Sequence, residues 1–258
     1  MDTGKLISTA LRSMRRIVAV CAVMAAATAE CAAQSGEFGL WTSLGVEKKI
    51  NKKWSVEAEG EFRTRNDART ADRWSLGVST GYKLTPWLKA DVGYVFLRDN
   101  NREDISLHAD GSYNNWRPSF WGSRHRATAS LTASVAAGAW KLSLRERWQY
   151  TYRPEHTTDR YDFDNSQWED KTIKGKGRNV LRSRLQVDYN IPKCKVDPYA
   201  SIETYNAWAV QKVRYTVGAD LKIRKRHVVG AYYRYQSLYD DDTDNDAHVI
   251  GVEYKFKF

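Results

Sequence analysis

Arginine recurs at every second position in several segments of this chain, a spacing that places the side chains on one face of a strand. Arginine stays charged at any physiological pH and presents a planar fork of N–H donors that fits carboxylate, phosphate and sulfate groups. The repeated pairs therefore predict a shared, positively charged surface. Its eleven members are Arg63, Arg65, Arg73, Arg124, Arg126, Arg145, Arg147, Arg182, Arg184, Arg214 and Arg234.

Acidic side chains occupy the same register as these arginines, chiefly Glu57, Glu59, Glu61 and Glu203. This mixture supports two interpretations. An excess of arginine around an open interior favours a pore or binding site that prefers anions, since rings of basic side chains select anions in channels. A narrow interior can instead be filled by arginine–glutamate ladders that leave no pore. The sequence leaves both interpretations open.

The segments that carry these residues alternate apolar and polar side chains. The clearest example sets Val213, Tyr215 and Val217 against Arg214 and Thr216. Repeated segments of about ten residues with this period of two are typical of transmembrane β-barrels. The sequence therefore predicts an all-β fold, an antiparallel transmembrane barrel of about 10–12 strands. A soluble β-sandwich or a lipocalin-like barrel is the alternative, because these folds also alternate.

The number of candidate strands in this predicted barrel is odd. Eleven segments alternate, whereas bacterial single-chain barrels usually have an even number of strands. Short connections, such as Thr85-Pro86 and Ala137-Gly138, are expected on the periplasmic side, and longer ones, such as 99–122 and 153–177, outside. Either the first segment, Phe38 to Lys48, does not span the membrane, or a further strand near the N-terminus escapes the pattern.

The N-terminus has the features of a cleaved signal peptide at residues 1–33. A basic stretch containing Arg15 and Arg16 precedes an apolar run from Ile17 to Ala29, and small residues precede Gln34. Met14 is a possible true start of translation, and a lipoprotein signal at Cys31 is the alternative to the cleaved signal peptide. Cleavage leaves one predicted barrel domain, residues 34–258, and removing four basic and two acidic residues takes the formal charge from +10 to +8.

Cys194 is the single cysteine of the predicted mature domain, so an internal disulfide is excluded there, and we expect no cofactor and no metal. The acidic stretch Asp240 to Asp246 lacks the glycine and distal glutamate of an EF-hand loop. We expect no enzyme activity: a lipid hydrolase at the barrel rim would need a serine beside His125, and neither Ser123 nor Ser130 has suitable spacing. The arginines alternate within strands instead of clustering, so no nucleic-acid partner is expected.

Several motifs resemble those of the DUF2490 family. They are W-T-S at Trp41 to Ser43, K-x-I-N-K-K-W ending at Trp54, E-x-E-F-R-T-R ending at Arg65, and P-Y-A-S-I-E from Pro198 to Glu203. The family is frequent in Bacteroidota, is uncharacterised, and is regarded as a group of outer-membrane barrels. The resemblance implies a fold and a location, without site residues.

These observations together predict an exported protein of the Gram-negative outer membrane. We expect contacts with lipid and lipopolysaccharide, and recognition by the barrel-assembly machinery through the C-terminal strand, which ends on the aromatic Phe258. The predicted function is a channel or binding barrel for small anionic solutes. The alternatives are a non-conducting structural barrel with a salt-bridged interior and, less favoured, a lipid hydrolase at the rim.

Overall fold

A computed structural model describes residues 36–223, 226–239 and 246–258, and every regular element among them is a strand. The predicted signal peptide, with Met14 and Cys31, lies outside the described residues, as do Arg224, Lys225 and residues 240–245. Fifteen strands are described. They are β1 (Glu37–Lys49), β2 (Trp54–Arg65), β3 (Thr70–Lys83), β4 (Leu88–Asn101), β5 (Asp104–Leu107), β6 (Tyr113–Arg117), β7 (Phe120–Ala137), β8 (Trp140–Arg153), β9 (His156–Asp162), β10 (Gln167–Ile173), β11 (Lys176–Tyr189), β12 (Val196–Ala207), β13 (Ala209–Ile223), β14 (His227–Leu238) and β15 (Ala247–Lys257).

Eleven of these strands form a closed barrel in the order β1-β15-β14-β13-β12-β11-β8-β7-β4-β3-β2. The outer surface carries the apolar residues of the alternating pattern: Leu44 is 68 % exposed and Val135 is 65 % exposed. A closed sheet with an apolar exterior is suited to lipid because all backbone groups pair within the sheet. None of the described residues forms a helix that is long and apolar enough to cross a membrane.

An odd number of strands closes because β1 and β15 pair in parallel. Their register runs from Glu37 opposite Ala247 to Glu47 opposite Lys257, while every other barrel pair is antiparallel. Both explanations offered above for the count of eleven are therefore wrong. The first segment is a full strand, and the barrel closes without a twelfth. A parallel ladder satisfies backbone donors and acceptors as an antiparallel ladder does, so closure does not require an even number.

The barrel has two different ends. At the turn end, short connections join the strands at residues 50–53, 84–87, 138–139 and 190–195; Gly138 has the positive φ (61°) that a tight turn requires. The opposite end is the loop end. The expectation that its connections are all longer is wrong for two of them, because residues 66–69 and the single residue Trp208 suffice to join neighbouring antiparallel strands.

The two long connections are not loops. They contribute β5 and β6, and β9 and β10, to a four-stranded sheet with the order β10-β9-β6-β5. The barrel strands β11, β8, β7 and β4, from which these strands continue, follow one another in the same order. The sheet, called the external sheet below, therefore extends one side of the barrel beyond its loop end.

Aromatic side chains are concentrated near both ends of the outer surface. Trp54 contacts Tyr82 and Trp140 contacts Tyr189 at the turn end, with ring centroids 4.8 and 4.5 Å apart. Towards the loop end, the centroids of Trp74 and Phe96 lie 5.6 Å apart. Two such belts are typical of barrels that meet both membrane interfaces.

Candidate functional site

A small hydrophobic cluster lies on one side of the barrel interior, on β1, β15, β14 and β12, and is called the aromatic layer below. Trp41, Tyr232 and Val249 are 7, 4 and 2 % exposed, and Tyr199 packs against them. Tyr232 and Tyr199 lie against Gly251 and Gly218, where any added Cβ would fall well inside contact distance of the ring. These two glycines let large rings lie flat on the inner wall, which explains why glycine occupies inward positions there.

Above this layer, on the side of the loop end, a cavity of about 320 Å³ is called the arginine chamber. Trp41 and Val249 form its floor, and Glu37 and Leu238 lie at its upper edge. Seven basic residues and three acidic ones line it. The basic set is Arg63, Arg65, Arg73, Arg102, Arg124, Lys212 and Arg214, and the acidic set is Glu37, Asp72 and Asp99. The lining residues belong to β13, β14, β15, β1, β2, β3, β4 and β7, which are neighbours around the barrel, and to the connection after β4.

Glu203 joins two of the predicted arginines. Arg145 Nη2 lies 2.5 Å from one carboxylate oxygen of Glu203, and Arg182 Nη2 lies 2.9 Å from the other. Tyr205 donates its hydroxyl to the same carboxylate at 3.1 Å. The Glu203 residue is only 7 % exposed. Two buried guanidinium groups share one buried carboxylate, so the group as a whole keeps a positive charge.

Asp99 repeats this arrangement between Arg73 and Arg124. Arg73 donates to one carboxylate oxygen, and Arg124 Nε lies 2.9 Å from the other. The remaining pairs are one to one. Arg63 donates two hydrogen bonds, of 2.7 and 2.8 Å, to the carboxylate of Glu61, and Arg65 Nη1 lies 3.2 Å from Asp72 Oδ1.

Five of the eleven predicted arginines have no carboxylate within ion-pairing distance in the described part of the chain: Arg126, Arg147, Arg184, Arg214 and Arg234. Arg126 donates to Thr151 at 3.1 Å and Arg234 to Thr216 at 3.0 Å. Arg214 donates to Gln236 at 2.8 Å and to the Tyr205 hydroxyl. All of these acceptors are neutral, so the charges of Arg126, Arg214 and Arg234 are hydrogen-bonded without being compensated.

Aromatic rings hold several of these guanidinium groups in place. Arg63, Arg214 and Arg234 lie 3.7, 5.1 and 5.1 Å from the Trp41 ring. Arg182, Lys212 and Arg214 lie 4.4, 4.7 and 4.7 Å from the Tyr205 ring. A cation over an aromatic face is stabilised by the ring quadrupole, so Trp41 and Tyr205 take part of the role that counter-ions would have.

Below the aromatic layer, a second cavity of about 180 Å³ has a different lining. Glu59, Asp220, Glu253, Lys255 and Lys257 contribute its charged groups. Glu57 lies beside it and pairs with Lys255 at 2.5 Å. The predicted acidic residues are thus divided: Glu57 and Glu59 lie towards the turn end, whereas Glu61 and Glu203 bind arginines nearer the loop end.

The eleven predicted arginines form three groups. Five of them, Arg63, Arg65, Arg73, Arg124 and Arg214, line the chamber. Arg145 and Arg182 bind Glu203, and the other four do not line the chamber. The prediction omitted Trp41, Asp99, Tyr205 and Lys212. Lys212 and Asp99 lie in the inward register of their segments and were recoverable, whereas Trp41 and Tyr205 have aromatic side chains, whose residue type suggests the lipid face although their register places them inside.

His125 has a neighbour other than serine. Its Nδ1 atom lies 2.6 Å from the Tyr94 hydroxyl, and the Ser123 hydroxyl accepts a hydrogen bond from Arg98 at 3.1 Å. Ser130 is buried on the inner wall, so its side chain lies on the opposite face of the strand from that of His125. His125 is therefore part of a histidine–tyrosine contact on the outer surface, as are His227 with Tyr254 and His248 with Tyr233.

The chain matches known proteins in family and in fold. The model of a family described as a protein of unknown function, DUF2490, matches residues 38–247. The translocator domain of the autotransporter NalP from Neisseria meningitidis is similar in structure, with a TM-score of 0.53 and 13 % identity over 86 % of this chain and 91 % of that chain. The β domain of the Bordetella autotransporter BrkA has a TM-score of 0.51 and 16 % identity over 80 % and 83 %.

These structural similarities show the fold: this chain is a β-barrel that resembles outer-membrane barrels. No protein of curated function matches it in sequence.

Proposed function

This chain belongs to the DUF2490 family, and we propose that its barrel binds small anionic solutes in the arginine chamber. The proposal concerns binding from the loop end and assigns no catalytic step, cofactor or nucleic acid to the protein. It places the protein in the outer membrane, with its apolar exterior in contact with lipid.

One side chain carries the proposal. Arg214 is 7 % exposed and lines the chamber, and among the described residues its side-chain acceptors are Gln236 and Tyr205, which are both neutral. Burying a charge without a counter-charge costs several kcal/mol, and hydrogen bonds to neutral groups offset only part of that cost. An anion in the chamber would supply the missing charge, and the guanidinium fork would fix its orientation.

The surroundings of Arg214 favour an anion over a neutral solute. Lys212 lies two residues away on the same wall and has no carboxylate partner among the described residues, and both side chains contact the Tyr205 ring. The excess of seven basic over three acidic residues gives the chamber a positive potential. Clefts lined by one sign of charge concentrate ions of the opposite sign and speed their entry.

Binding is tested with a matched pair of probes, glucuronate and glucose, titrated calorimetrically into the purified barrel. We expect glucuronate to bind and glucose not to. Arg214→Gln should weaken glucuronate binding by about 10- to 100-fold, because a charged hydrogen bond contributes about 1.5–3 kcal/mol. Arg184→Gln removes the same charge from the inner wall outside the chamber and should change binding little.

Two results would contradict the proposal. One is the absence of binding with glucuronate, citrate and inorganic phosphate alike. The other is equal weakening by Arg214→Gln and Arg184→Gln, because a general effect of positive charge would then explain the affinity without a site.

A non-conducting structural barrel is the second candidate, and the aromatic layer favours it. The layer lies between the chamber and the lower cavity, and six of the eleven predicted arginines are ion-paired. In planar bilayers we expect the parent barrel to be silent, and Tyr232→Ala to conduct with anion selectivity. Tyr215→Ala, on the outer surface, is the control. Conductance by the parent barrel would instead favour a channel for small anionic solutes, the other function that the sequence predicts.

The proposed location and partners have separate tests. The apolar exterior supports contact with lipid and lipopolysaccharide, and the alternating strand β15 with the terminal Phe258 supports recognition by the barrel-assembly machinery. We expect the full chain in the outer-membrane fraction, and reduced assembly when Phe258 is deleted. Recovery of the folded chain from a detergent-free soluble fraction would contradict the proposed location.

A further inference from the structure

One face of the external sheet carries a continuous row of four large apolar side chains, three of them aromatic, which is called the aromatic row below. Ile105, Trp116, Tyr161 and Trp168 occupy directly paired positions across β5, β6, β9 and β10. The ring centroid of Trp168 lies 5.6 Å from that of Trp116 and 5.3 Å from that of Tyr161. Trp168 is 55 % exposed, so the row is an accessible surface made of large flat side chains.

The other face of this sheet is electrically balanced. Arg160 pairs with Glu169 across β9 and β10, and Arg117 lies 3.4 Å from Asp104 across β6 and β5. The arginines of the sheet are therefore engaged on the face opposite the aromatic row. They cannot neutralise carboxylates on the aromatic face.

The aromatic face carries a negative charge that no described residue compensates. Asp159 and Asp170 are paired directly across β9 and β10, two positions from Tyr161 and Trp168, and both are exposed without an ion-pair partner in the described part of the chain. Glu103 lies at the other end of the row, where it accepts a hydrogen bond from Trp116 Nε1 at 3.3 Å. Like charges directly opposite each other destabilise a sheet unless a cation joins them.

From this arrangement we propose that the aromatic face of the external sheet binds a basic peptide segment of a partner protein. Lysine and arginine are the cations that both carboxylates and the faces of tryptophan and tyrosine attract. The row crosses three inter-strand spacings of about 4.8 Å, roughly 14 Å in all. One ammonium group covers a single ring, whereas an extended segment presents side chains on one side every ~6.6 Å. The segment can therefore place basic groups near Asp170 and Glu103 together.

The surface is independent of the arginine chamber, and the two sites have opposite charge. A basic segment is repelled by the chamber and attracted by the external sheet. The test therefore needs no result from the anion experiment.

The probe is an acetylated and amidated Lys-Ala-Lys-Ala-Lys peptide, titrated calorimetrically into the full barrel, with Gln-Ala-Gln-Ala-Gln as its neutral counterpart. We expect the lysine peptide alone to bind, more weakly as salt increases. Trp168→Ala and Asp170→Asn should each weaken binding by about threefold or more. Glu169→Gln removes the same charge one residue away on the opposite face and should leave the affinity within about twofold.

Three outcomes would overturn the proposal. They are no binding of the lysine peptide, equal weakening by Glu169→Gln and Asp170→Asn, and binding of neutral maltotriose in place of the lysine peptide with the same dependence on Trp168. The last outcome would assign the face to saccharides. Circular dichroism and heat-modifiable migration of each variant confirm that the barrel is folded, so that a loss of binding reports on the surface itself.

Discussion

The two halves of the barrel interior solve the problem of internal charge in different ways. Towards the loop end, the ion-paired cations are arginines, and those bound to Glu203 are 13 and 14 % exposed. Towards the turn end, the ion-paired cations are lysines, such as Lys255 and Lys222, which are 36 and 56 % exposed. In the first half two carboxylates, Glu203 and Asp99, each serve two cations, whereas in the second each of these lysines has its own carboxylate.

The difference follows from the chemistry of the two side chains. The guanidinium group is planar, weakly hydrated and able to stack on rings, so several arginines can crowd around Trp41, Tyr205 and a few carboxylates. The lysine ammonium group is strongly hydrated, and a flexible stem lets it reach water at the rim. The loop half therefore retains excess positive charge in a partly dry interior, and the turn half is a solvated rim.

The largest expected effect is the loss of a shared carboxylate. Glu203→Gln should destabilise the barrel by about 3–5 kcal/mol, because Arg145 and Arg182 both lose their buried counter-charge. Urea unfolding in detergent micelles, followed by tryptophan fluorescence, measures the change. A loss below about 1 kcal/mol would show that the loop half is as well solvated as the turn half, and the contrast would fail.

A second variant changes the packing of the aromatic layer, which lies between the arginine chamber and the lower cavity. Gly251→Val places a side chain where the Tyr232 ring now lies, so the ring must leave the wall. We expect a loss of about 1–3 kcal/mol from this overpacking. The same unfolding experiment measures it, with Gly60→Val as the control because a Cβ at Gly60 meets nothing closer than 4.0 Å. Equal effects of the two variants would mean that the layer is not closely packed.

At the turn end the corresponding loss should be small. Glu57→Gln removes the partner of Lys255, and both side chains are partly exposed, at 27 and 36 %. We expect at most about 1 kcal/mol of destabilisation, as for other solvent-accessible ion pairs, and a smaller effect in high salt. Measured beside Glu203→Gln, this variant determines the size of the contrast. A loss as large as that of Glu203→Gln would show that exposure does not govern these pairs.

The smallest effect concerns Asp162, at the end of β9 in the external sheet. Hydrogen bonds from the Asn165 side chain and from the backbone N–H groups of Asn165 and Asp164 lower the pKa of Asp162 below its ordinary value. Because the pKa of Asp162 is depressed in the folded protein, the ionised carboxylate stabilises the turn fully above the unfolded pKa of about 3.9. It is lost as the pH falls through the lower folded pKa.

Amide chemical shifts of Asp164 and Asn165, followed by NMR during an acid titration, measure this change. Asp162→Asn should greatly reduce the titration at the Asn165 amide, whereas the Asp164 amide still responds to its own carboxyl group. A midpoint above about 3.9 in the parent would contradict the assigned direction.

Much of this architecture could be predicted from alternation alone. The inward positions of Arg63 and Arg214 follow from the period of two, because in a strand the backbone geometry fixes which side chains share a face. Residue type, by contrast, was misleading for Trp41 and Tyr205, whose aromatic character suggested lipid while their register placed them inside. It also gave no sign of β5, β6, β9 and β10, which are short, mixed in composition and stabilised by pairing between distant segments.

The fold class, the polar and apolar faces of the strands and the family can be read from the amino-acid order, because these depend on local patterns along the chain. The folded barrel was needed to reveal the parallel closure of β1 on β15, the sharing of Glu203 and Asp99 between arginines, and the lack of a paired carboxylate at Arg214 among the described residues. These depend on the stagger of strands far apart in sequence. In a closed barrel, that stagger sets which inward side chains lie at the same height.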